Sequence, residues 1–153
     1  MSQKGYEIGT LIGTIDPQRL TTTELFTDVI DMGDFDQVTF YFLVGNTDFA
    51  DIIARVVTCN AAGSTRTAFK TATTLGGSSS TNDNVQIIIN VAAEDLAGGN
   101  SPADRYVRGG IVTSSNQADA VACAVIGYLA KHGPGHADVP DLTSVQEIED
   151  DKD

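Results

Sequence analysis

Short apolar runs, separated by clusters of Gly, Ser, Thr, Asn and Asp, extend through most of this chain. Runs of this kind, rich in β-branched and aromatic residues and bounded by turn formers, are typical of β-strands. We predict strands near residues 26–30, 38–44, 51–60, 66–74, 85–91, 105–115 and 119–130. Their spacing of about 10 to 15 residues favours an all-β antiparallel sandwich, jelly-roll-like or Ig-like, over alternating βα units.

Turn formers mark the connections. We expect turns or loops at Pro17 and at residues 32–34, 61–65, 75–84, 97–104 and 115–116. Residues 1–25 mix single apolar residues with Gly and Thr, which disfavours a helix, since Gly in a helix interior costs up to about 1 kcal/mol relative to Ala. The predicted organisation is an N-terminal arm or edge strand (1–25), a β-sandwich domain (26–131), and a Gly/Pro linker with an acidic C-terminal tail (132–153).

The predicted strand at residues 38–44 is apolar on both faces, because Thr39 is its single polar residue. In a two-layer sandwich each sheet presents one face to the core, so a two-sided apolar strand implies a cover for its other face. The N-terminal arm, a long loop or a neighbouring chain would each supply that cover.

Residues 119–130 are rich in Ala, but Val, Ile, Gly and Tyr in the same segment lower its helix propensity, so we favour a strand. A period of two separates a bulky set from a small one. The bulky set is Val121, Cys123, Val125 and Leu129, and the small set is Ala120, Ala122, Ala124 and Ala130. The small set predicts a smooth face that another sheet or another subunit can approach closely.

The formal net charge of −12 over 153 residues argues against a surface that binds nucleic-acid phosphates. We find no secretion signal and no apolar stretch long enough to span a membrane, so we expect a soluble protein made in a reducing cytoplasm. Cys59 and Cys123 lie in apolar runs without metal-knuckle or redox spacing, which favours small core hydrophobes over a disulfide.

Few residues of this sequence suggest a catalytic or metal-binding site. The two histidines, His132 and His136, flank Gly-Pro-Gly, which excludes a helix that would present them to a metal. The acidic stretches at 31–36 and 46–51 resemble turns in which Asp and Asn bind their own backbone. We therefore predict no enzyme activity and no catalytic, cofactor-binding or metal-binding residues.

Two further features suggest contacts. Arg105 and Arg108 lie close together in an acidic chain, where we expect ion pairs with neighbouring carboxylates or, alternatively, a role in an interface. Residues 137–153 contain seven acidic residues and one Lys. This segment would be a disordered solubilising tail, or a short helix formed on a partner.

Four stretches together resemble the small auxiliary proteins of tailed-bacteriophage heads, the decoration or cement proteins. They are VIDMGDFDQVTFYFLVG (29–45), CNAAGSTRTAF (59–69), NDNVQIIINV (82–91) and DRYVRGGIVTS (104–114). The resemblance implies a virion structural protein that is assembled in the host cytoplasm, binds the major capsid protein on the capsid exterior, and gathers as trimers or dimers. It implies no residue-level contact, and no contact with nucleic acid or membrane is expected.

The alternative function is a surface ligand-binding module, for instance one for carbohydrate. Such a module requires exposed aromatic residues near loops. The candidates are Tyr6, Phe49, Phe69 and Tyr128.

Overall fold

The structure is a computed structural model that describes residues 9–20, 24–45, 51–72, 84–96, 105–113 and 119–128. Within these ranges the chain forms an all-β antiparallel sandwich with one helical turn. The elements in chain order are β1 (Gly9–Leu20), β2 (Glu24–Phe26), β3 (Ile30–Asp31), β4 (Gln37–Val44), β5 (Ile52–Cys59), β6 (Thr65–Thr71), β7 (Val85–Ala92), α1 (Ala93–Leu96), β8 (Tyr106–Thr113) and β9 (Asp119–Tyr128).

Two sheets make up the sandwich. Sheet A has the strand order β1-β9-β4-β7, and sheet B has the order β2-β8-β5-β6, with β3 also paired to β8. If β2 and β3 are taken as one interrupted strand, the strands pair from the two ends of the chain towards its middle. The pairs are β1 with β9, β2/β3 with β8, β4 with β7, and β5 with β6. This nested pairing is a jelly roll, whereas an immunoglobulin fold divides its strands differently between the sheets.

The core lies between the sheets and is centred on β4. Its inward residues, Val38, Phe40, Phe42 and Val44, are at most 2% exposed. The Phe40 and Phe42 rings stack with centroids 6.3 Å apart. Gly109 of β8 lies opposite them, and a Cβ at that position would lie 2.7 Å from the Phe40 ring. The two large rings therefore fit because the facing strand is small at this point.

The prediction of one continuous strand at residues 26–30 is wrong. The segment forms two short strands, β2 and β3, separated by residues 27–29, of which Thr27 still donates its backbone N–H to the Gly109 carbonyl oxygen at 2.9 Å. The buried Thr27 explains the break, because its Oγ1 accepts a hydrogen bond from the Gly109 N–H (2.9 Å) and donates one to the Asp28 carbonyl oxygen (2.9 Å). The Thr27 hydroxyl thus accepts the Gly109 N–H in place of a backbone carbonyl oxygen.

The predicted turn at Pro17 is also wrong. The chain continues through it as β1, an edge strand of sheet A paired with β9. A register shift between Ile15 and Gln18 absorbs Asp16 and Pro17 as a bulge. Proline is tolerated there, because edge strands and bulges do not need its missing N–H.

The predicted hairpin at residues 61–65 is confirmed. Gly63 adopts φ 82° and donates to the Asn60 carbonyl oxygen at 2.8 Å, while the Asn60 side chain accepts from the Ser64 N–H at 2.9 Å. The predicted turn at 32–34 is confirmed as well, since the Asp31 carboxylate accepts from the Gly33 N–H at 2.7 Å. The turns at 97–104 and 115–116, the tail at 132–153 and most of the loop at 75–84 lie outside the described residues.

The sequence pattern did not predict α1, a single turn that follows β7 directly. Ala93 begins it and donates its N–H to the Asp36 carbonyl oxygen at 2.9 Å, which joins the turn to the start of β4. Across the described ranges, no helix is long and apolar enough to cross a membrane.

Candidate interaction surface

One side of sheet A faces away from the core, and we call it the outer face of sheet A. It is formed by alternate residues of β4, β7 and β9, flanked by β1. Register aligns these residues in rows across the three strands. The rows are Ala92, Gln37 and Tyr128; Asn90, Thr39 and Ile126; Ile88, Tyr41 and Ala124; and Gln86, Leu43 and Ala122.

None of these twelve described residues is charged, although the whole chain carries a net charge of −12. Two large hydrophobic side chains on this face are open to solvent, Leu43 at 45% and Ile88 at 55% exposed. An uncharged, partly apolar face on a strongly charged protein is a candidate surface for contact with other molecules. The second face of the two-sided strand β4 therefore remains partly open in the isolated chain.

Polar groups on the outer face of sheet A are bonded to one another. Thr39 Oγ1 donates to Asn90 Oδ1 at 2.7 Å, and the Tyr41 and Tyr128 hydroxyls lie 3.3 Å apart. The hydrogen bond with Tyr128 raises the pKa of Tyr41 above its ordinary value, so the Tyr41 phenol stays neutral at physiological pH. These internal pairs lower the cost of burying the face, because fewer polar atoms would lose water without a replacement partner.

The small residues predicted on β9 do face outward, and the bulky ones face the core. Val121, Cys123 and Val125 are at most 3% exposed, and their three neighbours Ala120, Ala122 and Ala124 are on the opposite side. Beside this alanine row stand the larger side chains of β4, Tyr41 and Leu43. Leu129 and Ala130 lie outside the described residues.

The outer side of sheet B is different, because charged side chains cross it. Arg55 Nε donates to Glu24 Oε1 at 2.8 Å, and the Arg108 guanidinium lies 3.6 Å from the centre of the Phe26 ring. Arg105 forms a two-pronged ion pair with Asp31, which raises the pKa of the arginine. The expectation of an ion pair is confirmed for Arg105, while Arg108 stacks on an aromatic ring.

A pocket of about 200 Å³ opens beside the turn after β3. Phe35, Tyr106, Asp31 and Asp34 contribute to its lining. It is smaller than the roughly 300–1,000 Å³ of typical ligand sites. Asp31 already binds the Arg105 guanidinium and the Gly33 N–H, so its oxygens are committed to the fold.

The aromatic residues of the carbohydrate-binding alternative are not brought together where the structure describes them. Phe69 lies on β6 of sheet B and packs partly against the core, whereas Tyr128 lies on β9 of sheet A. Tyr6 and Phe49 lie outside the described residues, as do His132, His136 and Asp48.

Both cysteines are free and buried, which confirms the prediction that they are small core hydrophobes. Cys59 is on β5 and Cys123 is on β9. Burial raises the pKa of the Cys123 thiol, so this thiol stays protonated and unreactive in the folded protein.

No protein-family model matches the sequence, and no curated protein matches it significantly. Among solved structures, the crystal structure of the infectious bursal disease virus VP2 subviral particle contains a chain with a TM-score of 0.39 and 12% sequence identity. The match covers 78% of this chain and 32% of that chain. This protein therefore spans about a third of the viral chain, and the low similarity assigns it to no family.

Proposed function

We propose that this chain is a virion structural protein, a capsid decoration protein that binds the outer surface of a capsid and stabilises the head. The observation that carries the proposal is the uncharged, partly apolar outer face of sheet A on a chain of net charge −12. The major capsid protein is the proposed partner and the virion exterior the proposed location. The jelly roll is compatible with this role, since viral capsid domains share that architecture with lectins and cupins.

The size of the face limits the strength of a single contact. Three strands spaced about 4.8 Å apart, each about 26 Å long, give an area of roughly 370 Å². Burying that area together with an equal area of a partner removes roughly 750 Å² from water, which is less than the roughly 1,000 Å² of a stable specific interface, so one copy would bind weakly and several contacts would have to act together. Adhesion through this face requires no catalytic group.

Stabilisation of a shell follows from mass action. A protein that binds the assembled capsid and not its separated subunits raises the free energy of disassembly as the sites fill. An acidic protein on the exterior would also gain little from contact with packaged DNA, because like charges repel.

The test mixes purified protein with expanded, undecorated capsids of the parent virus. We expect saturable, stoichiometric binding and a higher capsid melting temperature. The variant Leu43→Asp places a charge in the outer face of sheet A and should weaken binding at least tenfold. Its matched control is Ala68→Asp, at an exposed position of β6 in sheet B, which should bind as the unaltered protein does.

Two results would contradict the proposal. One is a wild-type protein that does not bind such capsids at saturating concentration. The other is an equal loss of binding in both variants, which would show that added negative charge, and not its position on the outer face of sheet A, decides the outcome.

A further inference from the structure

Among the strands of the described residues, β7 is the last strand of sheet A, with β4 on one side and an open side on the other. The Asn90 carbonyl oxygen accepts a hydrogen bond from Lys70 Nζ at 2.8 Å, so it points away from β4. In an antiparallel ladder the direction of the backbone groups alternates along the strand. The N–H and C=O groups of Gln86 and Ile88 therefore face the open side too.

The sequence of β7 is nearly symmetric about Ile88. Residues 85–91 read VQIIINV, with an amide two positions before Ile88 and another two positions after it. An antiparallel strand that pairs with its own copy about this centre would place like residues opposite each other. Ile88 would face Ile88, Gln86 would face Asn90, Ile87 would face Ile89, and Val85 would face Val91.

We propose that β7 pairs antiparallel with β7 of a second copy of this chain, about a two-fold axis that passes by Ile88. Such a contact is isologous, so the same strand serves both partners and the assembly closes as a dimer. Sheet A would then continue across the axis as one sheet of eight strands.

Charge favours β7 over the other edge strands as the contact between two copies. Two chains of net charge −12 repel each other, and an uncharged contact strand keeps that repulsion smallest. No residue of β7 is charged. Every other edge strand of the two sheets carries charge, since β1 has Asp16 and Arg19, β2 has Glu24, and β6 has Arg66 and Lys70.

The solvent exposure of the β7 side chains also favours this pairing. Gln86, Ile88 and Asn90 are all exposed, and Ile88 is the most exposed of the large hydrophobic residues in the described ranges, at 55%. Lys70 covers one open position, at the Asn90 carbonyl. Its ammonium is 2.9 Å from Asp95 in an ion pair whose side chains are 38% and 44% exposed, so it can leave Asn90 at small cost while keeping that partner.

The pairing goes beyond the proposed capsid binding and does not depend on it. A two-fold axis perpendicular to the sheet leaves the outer faces of both copies on the same side. The dimer would therefore present twice the contact area to one shell and bind it with avidity. Because the dimer forms without capsids, it can be tested on the protein in solution.

The first test is a disulfide across the axis in the full chain. In Ile88→Cys the two Cα atoms would lie about 5.5 Å apart, which is within disulfide range. The control is Leu43→Cys, which is exposed on β4 and would lie roughly 20 Å from its own copy, because three strand spacings separate the two positions laterally and four residues separate them along the strands. Mild oxidation should give a covalent dimer of Ile88→Cys, while Leu43→Cys remains monomeric on a non-reducing gel.

The second test changes charge at positions that would face each other. Gln86→Glu with Asn90→Glu would set carboxylates against carboxylates and should weaken the dimer at least tenfold in analytical ultracentrifugation. Gln86→Glu with Asn90→Lys would form two ion pairs and should retain it. The proposal is overturned if the wild type stays monomeric up to millimolar concentration, if both double variants associate alike, or if both cysteine variants cross-link equally.

Discussion

Replacing Gly109 with alanine tests how the two sheets fit together. Gly109 faces the core from β8, and an added Cβ would lie 2.7 Å from Phe40 Cδ1 and 2.9 Å from Phe42 Cζ. Real Cβ contacts are essentially never that short, so at least one ring or the β8 backbone has to move. Both rings are fully buried and stacked on each other, which leaves neither a free direction in which to shift.

The expected cost follows from overpacking. Extra atoms in a well-packed core typically destabilise a protein by about 1–3 kcal/mol. For a chain of about 150 residues, each kcal/mol lowers the melting temperature by roughly 2–4 °C. Gly109→Ala should therefore melt roughly 2–12 °C below the wild type.

The assay is thermal unfolding followed by circular dichroism, with Gly13→Ala as the matched control. Gly13 lies on β1, and a Cβ there would meet its nearest neighbours at 3.7 Å, an ordinary contact distance. That variant should melt at or slightly above the wild-type temperature, since alanine restricts the unfolded chain more than glycine does. Equal melting temperatures for the two variants would refute the proposed close contact between β8 and β4.

Three other outcomes are expected. Thr27→Val removes the hydroxyl that accepts the Gly109 N–H at 2.9 Å, so chemical denaturation should show a loss of about 1–3 kcal/mol that Thr27→Ser does not share. Lys70 holds the pKa of Asp95 below its usual range, so the stability from this pair is present above the ordinary carboxyl pKa and is lost as the pH falls through the lowered value. In NMR titration, Lys70→Met should return the Asp95 pKa towards its usual range. Because burial raises the pKa of Cys123, a thiol reagent at pH 8 should label it only after denaturation.

Much of the strand pattern could be predicted because it is local. In β9 the alternation of bulky and small residues assigned the inward and outward sides correctly, since side chains in a strand alternate with a period of two. The same alternation in β7 places Gln86, Ile88 and Asn90 on one side. That alternation indicates which side of β7 faces outward, but it reveals neither that β7 is an edge strand nor which strand lies beside it.

The features that could not be predicted depend on contacts between distant parts of the chain. The interruption between β2 and β3 requires Thr27 to meet Gly109, which is 82 residues away. The choice between jelly-roll and immunoglobulin topology depends on pairings such as β1 with β9. The outer face of sheet A likewise forms only because β7, β4 and β9 are neighbours in the sheet. Its lack of charge therefore could not be predicted from the sequence, in which these strands are far apart.

The most direct measurement asks which side of the protein a capsid covers. Leu43→Cys and Ala68→Cys each add an exposed thiol, one on the outer face of sheet A and one on β6 of sheet B. Maleimide labelling should be fast at both positions in the free protein, and on saturated capsids it should become slow at Leu43→Cys alone. Equal labelling of Leu43→Cys in the free and capsid-bound protein would contradict a function based on adhesion through the outer face of sheet A.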